Sequence, residues 1–119
     1  MPIKILRSSF PMEYLPKCVA DQEELFGPVA ALITVSSDEE ALAVANGNDF
    51  GLGAAVFSKS LERAKTFVEK LEAGSVFIND FVRSDSRMPF GGTKDSGYGR
   101  ELGEAGLLEF VRIKSVVEP

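Results

Sequence analysis

Val29-Ala-Ala-Leu-Ile-Thr-Val35, Gly53-Ala-Ala-Val-Phe57 and Ser75-Val-Phe-Ile-Asn79 are three short apolar runs, separated by two segments of helical pattern. Runs of this length, bounded by turn residues, suit buried strands. Between the first two, Ser37-Asp-Glu-Glu40 has the spacing of a capping box, in which a hydroxyl and a carboxylate satisfy free N–H groups at a helix start. The helix it opens is expected to reach about Asn46, with Ala41, Leu42, Val44 and Ala45 as its apolar surface and Gly47 as a left-handed end. Ser60 is placed to cap the second helix. Leu61, Ala64, Val68 and Leu71 recur there at helical spacing as one buried stripe, and Gly74 is expected to end it. Strand, helix, strand, helix, strand with short links predicts an α/β fold with a parallel-sheet βαβαβ core and right-handed crossovers.

Outward from this core the pattern weakens. Met1–Lys17 holds Pro2, Pro11 and Pro16 and no sustained period, so an irregular or extended arm is expected over residues 1–22. After the third apolar run comes Met88-Pro-Phe-Gly-Gly-Thr-Lys-Asp-Ser-Gly-Tyr-Gly-Arg-Glu-Leu-Gly103. Gly91, Gly92, Gly97 and Gly99 favour neither helix nor strand, because each gives up backbone entropy and offers no side chain to pack. An ordered loop is expected, with Phe90 at its mouth; such loops carry function when a rigid scaffold holds them. A short helix is expected over Glu104–Phe110. Arg112-Ile-Lys-Ser-Val-Val117 has strand composition but no hairpin partner nearby, and is expected to pair with a distant strand or another chain.

Composition narrows the chemistry. The 119 residues suffice for one domain with a modest core. The formal net charge of -5 argues against a nucleic-acid surface. No run of roughly 18 apolar residues occurs, so neither a transmembrane helix nor a membrane partner is expected, and a cytoplasmic location follows by default. With no histidine, neither a Ser-His-Asp triad nor a Cys-His pair can be assembled from these residues. The single cysteine, Cys18, offers neither an internal disulfide nor a common zinc site, so no metal is expected. Cys18 lies in the irregular arm without a histidine to activate it, and reads as structural or incidental rather than catalytic. No catalytic residue is assigned.

Two groups of side chains could bind a small molecule. In Glu23-Glu24-Leu25-Phe26-Gly27-Pro28, a Gly-Pro turn presents a carboxylate and a ring before a buried strand. Glu24 could accept hydrogen bonds from two adjacent hydroxyls and Phe26 could cover a flat ring; the plainer reading is a solvated acid and a core phenylalanine. Arg83, Ser84 and Arg87 stand between the third strand and Phe90. Two guanidinium groups and a hydroxyl could bind a carboxylate, or simply be solvated in the loop. The glycine loop is not a phosphate loop, since it has no Gly-Lys-Ser/Thr ending, and it does not occupy the first βα turn of a dinucleotide fold. Its plainer reading is a turn region that lets two segments approach closely.

Glu-Glu-Leu-Phe-Gly-Pro-Val over 23–29, Glu39-Glu-Ala-Leu-Ala-Val-Ala-Asn46, Gly51-Leu-Gly53, Gly74-Ser-Val-Phe-Ile-Asn79 and Pro89–Gly103 follow one another as in NAD(P)-dependent aldehyde dehydrogenases. The resemblance covers Glu23–Val117, and Val82-Arg-Ser-Asp-Ser-Arg-Met88 is most similar to the succinate-semialdehyde branch. It implies a C-terminal part of that family: a partial catalytic domain over residues 23–110 and an oligomerisation strand over 111–119, with Met1–Ala20 departing from the family pattern. By resemblance, Glu24 corresponds to the ligand of the nicotinamide ribose and Phe26 to the residue beside the nicotinamide. Phe90 corresponds to an aromatic wall of the aldehyde pocket. Arg83 and Ser84 sit where the semialdehyde branch recognises the distal carboxylate. The family's nucleophilic cysteine, general-base glutamate, oxyanion asparagine and Rossmann domain lie upstream of the matching region. The resemblance therefore implies a fragment inactive alone. NAD or NADP would belong to the longer protein and not be held by this chain by itself. A small aldehyde is implied as substrate and a homo-oligomer as assembly. The alternative is a small α/β module that associates with itself or with a dehydrogenase, without catalysis.

Overall fold

The computed structural model describes residues 3–7, 11–13, 27 and 30–119. Strand β3, Ala30–Val35, is the middle of a three-stranded sheet. Strand β1, Ile3–Arg7, runs antiparallel to it with Ile3 opposite Val35 and Arg7 opposite Ala31; β2, Pro11–Glu13, runs parallel on its other edge with Pro11 opposite Ala30. Residues 3–7 and 11–13, which fall in the arm expected to be irregular or extended, are thus strands. Their local pattern is weak, and the main-chain edges of β3 supply their order.

Helix α1, Asp38–Asn46, follows β3. Ser37 Oγ accepts from the Glu40 N–H at 3.1 Å, as the capping-box spacing requires. The reciprocal half is displaced by one residue: Glu40 Oε2 accepts from the main-chain N–H and the hydroxyl of Ser36, both at 2.7 Å. Gly47 closes the helix through its N–H to Val44 O at 3.3 Å, with φ of -77°, not the left-handed value expected. Ile33 and Val35 of β3 and Ala41 of α1 form the buried core, with Val44 and Phe67 packed against it.

Strand β4, Phe50–Gly51, leads into β5, Gly53–Val56, then α2, Leu61–Lys70, and β6, Ser75–Ile78. Strands β5 and β6 pair in parallel, with Gly53 opposite Ser75 and Val56 opposite Ile78, so one βαβ unit forms as predicted. The expected five-element core is corrected. Strand β3 does not join β5 and β6, because β1 and β2 hold both of its edges.

Helix α2 is capped by Ser60 Oγ, which accepts from the Arg63 N–H at 3.3 Å. Of the predicted stripe, Ala64 is fully buried and Val68 and Leu71 are half-buried, but Leu61 is exposed; Phe67, outside the stripe, reaches the core. The helix stops at Lys70, before Gly74. Gly74 serves a close approach instead: a Cβ there would collide with the main chain of Gly91 and Gly92, so only glycine lets the glycine loop lie on this strand.

Strand β7, Thr93–Lys94, pairs antiparallel with β4, and α3 covers Gly103–Leu108, slightly earlier than expected. Residues 109–119 form no strand. Their composition suits one, but a strand needs a partner for its N–H and C=O groups, and among the described residues none lies alongside. Among the described residues, no helix is long and apolar enough to cross a membrane.

Candidate functional site

The parallel ribbon β5–β6 ends at Val56 and Ile78, and the residues just beyond organise the surface there. Asn79 adopts a left-handed φ of 53°. Its Oδ1 accepts from the Ser58 N–H at 2.8 Å, and its Nδ2 donates to Ser58 O at 3.0 Å. The side-chain amide thereby acts as one more rung of the ladder, and fixes the directions in which both loops depart.

The segment leaving β6 doubles back across the ribbon. Phe81 meets Phe57 with ring centroids 5.9 Å apart at 59°, Val82 covers Gly53, and the Arg83 guanidinium lies 5.8 Å from the centre of the Phe77 ring. Phe57 and Phe81 nevertheless remain 62% and 77% exposed, so this aromatic pair stands open to solvent. Tilted rings and a guanidinium over a ring face are favourable arrangements of the aromatic quadrupole.

Both loop arginines meet an acid of their own loop. Arg83 Nη1 lies 2.5 Å from Asp80 Oδ2; Arg87 Nη2 and Nε reach the two oxygens of Asp85 at 2.6 and 2.9 Å. The hydrogen bond from Arg83 lowers the Asp80 pKa, and that from Arg87 holds Asp85 well below the usual carboxylate range. The two arginines rise correspondingly, each chiefly through its hydrogen bond to the aspartate. At neutral pH the loop therefore carries fixed charge pairs. Guanidinium has five donors, so one carboxylate leaves Arg83 with capacity for a second acceptor. Ser84 is exposed between them. Among the described residues no group of His, Cys, Asp or Glu could hold a metal ion.

Phe90 lies farther along, where the chain returns. Met88 N–H donates to Asp85 O at 3.0 Å, Gly103 N–H donates to Ser86 O at 3.1 Å, and Phe90 forms an antiparallel bridge with Glu101. Arg83, Ser84 and Phe90 thus belong to one connected loop, ordered at its far end by the start of α3. Glu24, Phe26 and Cys18 lie outside the described residues.

The glycine loop itself is a fastening. Thr93 Oγ1 lies 3.2 Å from Gly51 O and 3.1 Å from Glu72 O. Lys94 Nζ donates to Asn46 O and Asn48 O at 2.7 and 3.0 Å and lies 2.6 Å from Glu72 Oε2. Ser96 Oγ accepts from the Gly51 N–H at 2.9 Å, and Arg100 Nη1 donates to Gly92 O and Gly99 O at 2.8 and 2.7 Å. The close-approach reading of the loop is the one its geometry supports. Sequence reasoning did not single out Asn79, Thr93, Lys94, Ser96 or Arg100. The spacing Asp80-x-x-Arg83 and Asp85-x-Arg87 was a legible signal for the ion pairs; no local signal marks partners more than forty residues away, such as Lys94 and Asn46.

A family model described as the aldehyde dehydrogenase family matches residues 14–116, beginning within the stretch expected to depart from that pattern. The chain is 50% identical over 101 residues to a probable succinate-semialdehyde dehydrogenase (NADP+) of Synechocystis sp., covering 85% of this chain and 22% of that protein. It is 46% identical over 101 residues to the succinate semialdehyde dehydrogenase Sad of Escherichia coli strain K12, again covering 85% of this chain and 22% of the relative. Among solved structures, betaine aldehyde dehydrogenase from Staphylococcus aureus in complex with NAD+ superposes with a TM-score of 0.73 at 46% identity, covering 75% of this chain and 18% of that one. PnpE from Pseudomonas sp. WBC-3 gives a TM-score of 0.79 at 36% identity, covering 92% and 24%. The chain spans about a fifth of the length of the curated relatives it matches.

Proposed function

This chain belongs to the aldehyde dehydrogenase family, and from that premise we propose that it supplies one wall of the active site of an enzyme that oxidises succinate semialdehyde to the acid with NAD or NADP. The observation that carries this reading is the 50% identity to a probable succinate-semialdehyde dehydrogenase across 85% of the chain.

In this reading Arg83 and Ser84 take the carboxylate at the far end of the substrate, and Phe90 lines the path of its aliphatic part. Arg83 is suited to the task because its ring contact and its bond to Asp80 restrict the guanidinium before substrate arrives. The Asp80 bond also lessens its net positive field, so recognition rests on directed hydrogen bonds more than on charge.

Glu24 and Phe26 are assigned to the cofactor. A carboxylate accepts two hydrogen bonds side by side, the donor pattern of a ribose diol, and a phenyl ring covers a flat heterocycle. When bound, a nicotinamide accepts the hydride that leaves the substrate. The nucleophilic thiol is assigned to the part of the longer relatives that this chain does not match, and Cys18 is assigned no chemical role. The division into an arm over 1–22, a partial catalytic domain over 23–110 and an interface segment over 111–119 is part of the same proposal, as is a cytoplasmic location.

The test is a segment exchange. The matching region of the Synechocystis relative is replaced by residues 19–119 of this chain, and reduced cofactor is followed with succinate semialdehyde as substrate. Turnover by the chimaera, and none by the 119-residue chain alone, is expected. A folded chimaera that prefers an uncharged or cationic aldehyde would overturn the substrate assignment. Turnover by the short chain that vanishes in Cys18→Ser would overturn the division of labour.

A second reading has its own observation. Phe110, Ile113 and Val117 are 91%, 88% and 91% exposed, and covering large apolar side chains of this kind favours association. Residues 111–119 then act as an interface strand, with another copy or a dehydrogenase subunit, whether or not the chain takes part in catalysis.

A further inference from the structure

We infer that Asn46 is a site of self-inflicted chemical change that the folded chain holds shut. Asn46 is followed by Gly47, which has no side chain to hinder approach of its main-chain nitrogen to the Asn46 side-chain carbonyl carbon. In that reaction the Gly47 nitrogen attacks Cγ, a new C–N bond forms, and the C–Nδ2 bond breaks with release of ammonia. Water then opens the cyclic imide at either carbonyl, leaving aspartate or its β-linked isomer. No oxidant or further reagent is required.

Three contacts oppose the attack. Asn46 Nδ2 donates to Lys70 O at 2.9 Å, and Oδ1 accepts from the Glu72 N–H at 3.0 Å, so the amide is held against the end of α2. The attacking nitrogen is engaged with Val44 O at 3.3 Å. Asn46 is also the last helical residue of α1, and a helical main chain does not bring the next nitrogen beneath the side-chain carbonyl.

Reaction would be damaging because of what Asn46 joins. A carboxylate has no donor for Lys70 O, so lone pairs would face each other where the amide now bridges. The new negative charge would sit at the C-terminal ends of α1 and α2, both of which favour positive charge. The β-linked product would also lengthen the main chain beside Asn46 O, which Lys94 Nζ uses to secure the glycine loop. Opening of this junction would thus be recorded irreversibly, since the modified residue cannot re-form it.

The test is a time course on the full 119-residue chain at pH 8, with the site located by fragmentation mass spectrometry through its gain of about one mass unit. Deamidation at Asn46 is expected to be at least about tenfold slower in buffer than in urea, because it must await local opening. Lys94→Met, which leaves the reacting dipeptide untouched, should raise the rate in buffer, and Gly47→Ala should suppress it in urea. Equal rates with and without urea, or no effect of Lys94→Met, would overturn the inference. So would faster change at Asn48 than at Asn46 in urea.

Discussion

Phe90 and Glu101 exchange both of their main-chain hydrogen bonds: the Phe90 N–H donates to Glu101 O at 2.6 Å, and the Glu101 N–H donates to Phe90 O at 2.7 Å. This single bridge closes the glycine loop at its neck. Residues 91–100 are therefore a closed unit, pinned internally by Arg100 and externally by Thr93, Lys94 and Ser96. The position of Phe90 is a consequence of that pinning.

Filling the space at Gly74 should cost more than an ordinary surface change. In Gly74→Ala the new methyl meets the main chain of Gly91, which cannot yield without shifting the loop. A loss of about 1–3 kcal/mol is expected, as for overpacked sites, read as a lowered urea midpoint at unchanged slope. An unchanged midpoint would mean that the two segments do not lie in contact.

Thr93→Val keeps the shape of its side chain and removes one hydroxyl shared by Gly51 O and Glu72 O. About 1 kcal/mol of stability should be lost. The two serine caps offer a comparison: Ser37→Ala and Ser60→Ala should each cost about 0.5–2 kcal/mol. Additive losses in the double cap mutant are expected if α1 and α2 are capped independently, measured by the same denaturation.

Acid should loosen the chain. Arg63 lowers the Asp38 pKa, Arg83 that of Asp80 and Arg87 that of Asp85, each chiefly through a hydrogen bond. A carboxylate whose folded pKa is depressed stabilises the fold above its unfolded value and loses that contribution as pH falls through the folded value. Stability should therefore decline as pH drops below the ordinary aspartate value of 3.8. These pairs are solvated, so the decline should be shallow and weakened by salt. Asp38→Asn should flatten it when melting is followed across pH.

In the active chimaera, Arg83→Met should raise KM for succinate semialdehyde by about 10- to 100-fold, the range for losing a charge-assisted hydrogen bond. The same variant should leave oxidation of an uncharged aldehyde of equal length nearly unchanged. Equal losses on both aldehydes would place Arg83 in the folding of the loop rather than in recognition.

Ile113→Asp, or removal of residues 111–119, should shift the assembly toward monomer in light scattering after size exclusion. No change in mass would mean that this segment is not the interface.

The helices could be read directly because their determinants are local. Ser37 and Ser60 cap within a single turn, and Ala41 and Ala64 fall on the buried faces their spacing implies. The β5–α2–β6 unit was legible for the same reason, since strand, helix and strand follow one another without interruption. The displaced Glu40 bond to Ser36 and the ordinary φ of Gly47 mark how far local rules reach: they located the ends of α1 but not the conformation at each end, and they carried α2 past its true end at Lys70. At the candidate site, Arg83, Ser84 and Phe90 were visible as residue types, and the short spacing of Asp80 to Arg83 and Asp85 to Arg87 was a local signal for the ion pairs, whereas the bridge from Phe90 to Glu101 came to light only with the loop's path.

Short-range chemistry in the chain set the capped helices, the apolar runs and the family pattern, because caps and periodicity act over a few residues. Which strand neighbours which was decided in three dimensions: β3 could pair with β5 or with the arm, and the arm occupies both its edges. The Lys94 contacts to Asn46 and Asn48, and the approach of Gly91 to Gly74, likewise arise only when distant segments meet. Backbone carbonyls take up the distant end of those contacts, and every residue has one, so side-chain identity alone leaves the partner unspecified.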